Sequence, residues 1–210
     1  MIRVGMIGLG QTGAELARVL LKQTDLEVVA AVTSPESEKA GKDLGEILGC
    51  GTLGIVVEDA RHLEQVLLRT FPDVMVDFTN PDASLRNARL CSKWNVSMVI
   101  GTNGFSQQAM TKLFAIGSMQ KNGIVYAPNN TDLQIVGIGT VRAVRYIVKK
   151  KGFYEMSDVL DLPDRPVRRL TPDSQTPPPI ERKGKEPGVP SPSGNAVWSG
   201  RSLTGSTSIR

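Results

Sequence analysis

The residues best suited to chemistry stand near the start of the chain, in Gly8-Leu9-Gly10-Gln11-Thr12-Gly13. This GxGxxG run follows a strand-like segment and opens a helix-like one. In that setting the first glycine permits a tight turn and the second lets a pyrophosphate approach the backbone. The third lets helix and strand pack closely. Gln11 and Thr12 then occupy a helix N-terminus, whose free N–H groups and positive dipole end suit phosphate. Dinucleotide binding is expected at Gly8, Gly10, Gln11, Thr12 and Gly13, with a merely tight turn as the competing reading. About 20 residues on, such folds carry an acid at the end of the second strand for the adenosine ribose. Here the stretch reads Val32-Thr33-Ser34-Pro35-Glu36, with no acid at the strand end. Ser34, Lys39 and Lys42 suit a 2′-phosphate, Glu36 and Glu38 oppose it, and a solvated charged loop explains all five equally well. The balance between NADH and NADPH tips slightly to NADPH.

Other reactive side chains are sparse. The chain holds one histidine, His62, in a helix-like segment, and no metal-ligand spacing, so no metal site is expected. Cys50 and Cys91 form no CxxC pair and are too few for a disulfide framework. Reduced, buried or partly buried thiols and a cytoplasmic location are the expectation. No run approaches the roughly 18 apolar residues of a membrane helix, and no secretory leader is expected, because Met1–Ile7 leads straight into the glycines. Charge is uneven: residues 1–148 balance fourteen Lys/Arg against fourteen Asp/Glu, whereas 149–210 hold eleven against seven. That excess of four, without an aromatic platform, argues against nucleic acid as a partner.

These residues need elements to position them. Strands are expected at Ile2–Ile7, Glu27–Val32, Asp73–Phe78, Val96–Ile100 and Gly123–Tyr126. Helices are expected at Gln11–Lys22 (face Leu16, Val19, Leu20), Arg61–Arg69 (Leu63, Val66, Leu67, Leu68), from Pro81, and at Ser106–Gln120. Residues 33–54 read as a long loop. This alternation predicts an α/β fold, a Rossmann-type doubly wound parallel sheet over residues 1–130. One more helix is expected within 133–151, with Ile135, Val136, Ile138, Val141, Val144, Ile147 and Val148 apolar. Nine of thirteen prolines then fall between Pro163 and Pro192, so 161–210 read as an incomplete or disordered C-terminal region.

Four segments, in order and spacing, resemble the dihydrodipicolinate reductase family. They are the glycine loop, Gly41–Gly49, the pair Val76-Asp77-Phe78-Thr79-Asn80-Pro81-Asp82-Ala83 and Val99-Ile100-Gly101-Thr102-Asn103-Gly104-Phe105, and Ala127-Pro128-Asn129. In the glycine loop that family usually places Arg-Met where this chain has Gln11-Thr12. The resemblance implies NAD(P)H-dependent hydride transfer to a cyclic imine, the 4-hydroxy-tetrahydrodipicolinate step of lysine biosynthesis. It implies that Phe78 and Thr79 lie beside the nicotinamide ribose, that Gly101 and Thr102 line the nicotinamide side, and that Ala127 and Asn129 close it from a hinge. Residues 131–160 would begin a substrate domain, through whose sheet the family forms a homotetramer.

The resemblance then breaks down. The family's paired histidines and lysine, which protonate the substrate, are absent. Pro192-Ser193-Gly194-Asn195-Ala196 matches the turn that binds a substrate carboxylate, with Asn195 for threonine, so Ser193, Gly194 and Asn195 are its candidate residues. Arg182, Lys183 and Lys185 stand where the histidines would be, which leaves Lys183 and Lys185 as candidate proton donors. The last third is expected to be a truncated, diverged or frame-shifted substrate domain. Two other functions stay open: a related amino-acid dehydrogenase of the diaminopentanoate type, and a nucleotide-binding module without turnover.

Overall fold

β1 (Ile2–Ile7) sends alternate side chains to opposite sides: Val4 and Met6 enter one apolar core, Ile7 the other. That period of two, repeated in later strands, needs apolar cover on both faces. The computed structural model describes residues 1–119, 122–128 and 133–161. After β1 come α1 (Gln11–Leu21), β2 (Leu26–Thr33), α2 (Leu44–Leu48) and β3 (Val57–Asp59). A 3₁₀ turn (Ala60–His62) leads into α3 (Leu63–Thr70) and β4 (Val74–Asp77). Then follow α4 (Pro81–Lys93), β5 (Ser97–Ile100), α5 (Gln107–Met119), β6 (Gly123–Tyr126), α6 (Leu133–Ile147), β7 (Gly152–Glu155) and α7 (Met156–Val159).

The strands form one sheet in the order β3-β2-β1-β4-β5-β6-β7, with every neighbouring pair parallel. On one face Leu16, Leu20, Leu44, Leu48, Val141 and Ile147, from α1, α2 and α6, build the first core. On the other, Leu63, Val66, Leu85, Ala88 and Leu113, from α3, α4 and α5, build the second. Helices on both faces of a parallel sheet make this the doubly wound Rossmann-type fold expected from the sequence.

Several local expectations are corrected. The supposed loop 33–54 contains α2, which Asp43 caps by accepting from the Gly45 N–H at 2.7 Å and which Gly49 ends at φ 69°. Five residues are too few for apolar periodicity, although an Asp cap and a terminal glycine are both present in the sequence. β3 and β7 are short border strands that also carry no alternation. Within α3 Leu68 points outward, at 42 % exposure, and so do Ile135 (62 %) and Ile138 (63 %) of α6. Cys91 is buried, but Cys50, just past the α2 terminus, is exposed. α6 packs on α1 and leads to β7, which extends the same sheet beyond β6. The Pro-rich stretch lies outside the described residues.

Candidate functional site

Strand order reverses between β1 and β4, and in an open α/β sheet that reversal leaves a crevice at the carboxyl ends of the strands. The loops after β1 and β4 border it and interlock. Gly8 sits at φ 94°, where a Cβ would meet the Phe78 carbonyl oxygen at 2.4 Å. At Gly13 a Cβ would meet the Gly8 oxygen at 1.9 Å. Gly10 differs from both: a Cβ there meets nothing within 4 Å. Gly10 caps α1 without a side-chain bond, so the first-turn N–H groups at exposed Gln11 and half-buried Thr12 face open room that suits an anion. The Lys39 ammonium donates to the Leu9 carbonyl and brings a cation to this loop. Exposed Ser34 lies on the turn after β2, and Lys39 and Lys42 border a cleft of about 550 Å³ beside α2.

Further along the crest, the hydrogen-bond ladder runs past the strand ends. Phe78 N–H donates to Ile7 O (2.9 Å), Gly101 N–H to Asp77 O (2.9 Å) and Ala127 N–H to Ile100 O (2.8 Å). The Phe78 ring lies over Gly101 so closely that a Cβ there would fall 2.1 Å from it. Gly8, Phe78, Thr79, Gly101, Thr102 and Ala127 thus lie side by side on adjacent loops. Asn129, Lys183, Lys185, Ser193, Gly194 and Asn195 lie outside the described residues.

Beneath these loops is a cluster to which sequence reasoning assigned no role. Asp77 ends β4 with no exposed surface. Its Oδ1 accepts from the Thr79 hydroxyl (2.6 Å), the Thr79 N–H (3.1 Å), the Ser84 hydroxyl (2.9 Å) and the Thr102 hydroxyl (3.2 Å). Asn87 Nδ2 donates to Oδ2 at 2.8 Å. Thr79 N–H also reaches Thr102 Oγ1 (3.0 Å), so the loops after β4 and β5 share one polar knot. Burial pushes the Asp77 carboxyl above its ordinary range, while Asn87, Thr79 and Ser84 pull it back. Burial, then the neighbouring Asp77 charge, push the Cys91 thiol up as well, so it stays neutral. The available signal was an acid closing the otherwise apolar run Val74-Met75-Val76.

His62 is exposed on the 3₁₀ turn after border strand β3. Among the described residues no three His, Cys, Asp or Glu side chains gather as a metal site, and no helix is long and apolar enough to cross a membrane.

Known proteins resemble this arrangement. A family model described as dihydrodipicolinate reductase, N-terminus, matches residues 2–130. The 4-hydroxy-tetrahydrodipicolinate reductase of Methanocaldococcus jannaschii is 32% identical over 158 residues, 74% of this chain and 56% of that protein. Its counterpart in Methanothermobacter thermautotrophicus is 37% identical over 132 residues, 61% of this chain and 48% of that one. The chain spans about half the length of these curated relatives. Among solved structures, dipicolinate-bound dihydrodipicolinate reductase from Paenisporosarcina sp. TG-14 matches with a TM-score of 0.50 and 26% identity. It covers 61% of this chain and 48% of that one. An amine dehydrogenase from Mycobacterium smegmatis matches with a TM-score of 0.50 and 27% identity, over 61% and 39% of the two chains. With a family model covering residues 2–130, and with the glycine loop and the Asp77–Pro81 and Gly101–Gly104 loops interlocked on one crest, the chain belongs to the dihydrodipicolinate reductase family.

Proposed function

We propose that the crest binds NADPH or NADH and that the chain acts in the reduction of 4-hydroxy-tetrahydrodipicolinate, the imine-reducing step of its curated relatives. The observation that carries this reading is the cradle itself. Gly8, Gly13 and Gly101 have no room for a Cβ, whereas Gly10 opens onto space at the uncapped α1 N-terminus. Gly8, Gly10, Gln11, Thr12 and Gly13 would hold the pyrophosphate; Phe78 and Thr79 the nicotinamide ribose; Gly101, Thr102, Ala127 and Asn129 the nicotinamide. Lys39 beside the glycine loop, Ser34 on the turn after β2, and no acid at the end of β2 favour NADPH. We propose residues 1–130 as the dinucleotide domain and 131–160 as the start of a substrate domain whose first helix and strand, α6 and β7, pack onto the same sheet.

When bound, the cofactor supplies a hydride to the imine carbon. The C=N electron pair then moves to nitrogen, which takes a proton. Lys183 or Lys185 would have to supply it, with Ser193, Gly194 and Asn195 holding a substrate carboxylate. A positioned acid is worth ~10²–10⁴-fold. A second reading, a cofactor-binding module without turnover, is favoured by the lack of a histidine pair within residues 1–210. NADPH oxidation with freshly prepared substrate separates the two, beside Lys183→Ala and Lys185→Ala. We expect binding with turnover far below that of a reductase that carries the histidine pair. Brisk turnover lost with one lysine makes that lysine the acid; brisk turnover untouched by either change places the acid elsewhere.

A further inference from the structure

Asp77 is an expensive residue where it stands. It ends a strand otherwise made of Val74, Met75 and Val76, exposes no surface, and takes part in none of the ion pairs among the described residues. Burying a carboxylate without a cation is costly, and a neutral amide of the same shape would end the strand at less cost. The hydrogen inventory shows what the carboxylate does differently. Five donor groups converge on it, all neutral: the Thr79 N–H, the hydroxyls of Thr79, Ser84 and Thr102, and the Asn87 amide. An ionised carboxylate only accepts, so each can point its hydrogen inward. A protonated carboxyl would need an acceptor among those same groups and would turn at least one around. Burial opposes the charge, and the convergent donors offset it, so the cluster suits the anion, while the one neighbouring thiol, Cys91, stays neutral.

Three of those five donors, from Thr79 and Thr102, belong to the loops read above as the ribose and nicotinamide side of the site. The charge thus lies directly beneath them, in a core where it is little screened. We propose that Asp77 is a positioning residue that pins these two loops together. It also holds a fixed negative charge under the nicotinamide end, so that the site favours the oxidised, cationic ring over the reduced, neutral one. The inference rests on the cofactor reading. Its consequence for hydride transfer is that positive charge arising on the ring meets a group already oriented to receive it.

The test compares NADP⁺ with NADPH by calorimetric titration of the full chain. Asp77→Asn should weaken NADP⁺ about tenfold more than NADPH, a difference of about 1.4 kcal/mol. Ser84→Ala removes one donor but keeps the charge, and should weaken both forms alike. Equal losses for both forms in Asp77→Asn would make Asp77 merely structural and overturn the proposal. Failure of the unaltered chain to bind either form would instead remove the cofactor reading. Should Asp77→Asn not fold, the infrared spectrum of the unaltered chain at pH 7 decides. A protonated-carboxyl band overturns the proposal, and its absence supports it.

Discussion

Gly10 and Gly13 share a loop but answer to different constraints. Gly10 has φ −65° and ψ −171°, extended backbone that any residue adopts, and open space beside it; Gly13 has the Gly8 carbonyl in the way. Gly10→Val is therefore expected to keep the melting temperature within about 3 °C, while losing the rise that millimolar NADPH or NADH gives the unaltered chain. Gly13→Ala is expected to lower stability by about 1–3 kcal/mol, because the intruding carbon must displace backbone. Thermal melts with and without cofactor read both effects, and a Gly10→Val chain that keeps its full cofactor shift would remove the pyrophosphate from this loop. At this scale the glycines were legible because their spacing is local. Asp77 was not, because its meaning depends on Thr79, Ser84, Asn87 and Thr102, which only the fold gathers.

Among the elements, the short ones hang on single carboxylates. Asp43 caps α2 and also accepts from Leu53 N–H (2.9 Å) and Ile55 N–H (3.1 Å), closing the segment that follows. Backbone donors, Leu53 first and then Gly45, hold its carboxyl below its ordinary 3.8. Asp59, at the end of β3, is lowered chiefly by the Arg61 guanidinium and then by the Arg61 N–H. A carboxyl depressed in the folded state contributes stability that is fully present above the unfolded value and is lost as pH falls through the folded one. Urea midpoints should thus hold down to about pH 4 and fall below it. Asp43→Asn, measured at pH 5 and pH 3, should show a smaller drop than the unaltered chain. Long elements were legible from their periodicity, and α2, β3 and β7 were too short to have any. On α6 the apolar set was right for Val141, Val144 and Ile147, but a list of apolar residues does not say which way the helix rolls. Gly137 lies against Val19 of α1, where a Cβ would come within 3.2 Å, and Ile135 and Ile138 point outward.

For the whole molecule, one seven-stranded sheet and two apolar cores are built from the described residues of 1–161. A 1–161 fragment is expected to unfold cooperatively, by circular dichroism, and to keep the cofactor-induced rise in melting temperature. A 1–130 fragment lacks Val141, Ala143, Val144 and Ile147, all buried in the first core. It should lose cooperative unfolding and expose the α1 side of the sheet. A cooperative 1–130 fragment would show that α6 is dispensable. The boundary near 130 was drawn from the likeness of Ala127-Pro128-Asn129 to a hinge. That likeness could not reveal that the chain turns back to add a helix and a strand to the sheet it has just left.

β1 lies inside the sheet, between β2 and β4, yet the last fully buried side chains of its core among the described residues come from a helix that ends at Ile147. At ribosomal rates of about 5–20 residues per second, the strand made first waits roughly 7–30 s for its last cover. Throughout that interval Val4 and Met6 ride on a nascent chain that cannot yet close its first core. Factors that shield apolar segments during synthesis therefore have their greatest influence before residue 147 emerges. Slowing translation in that window should cost more soluble product than slowing it afterwards.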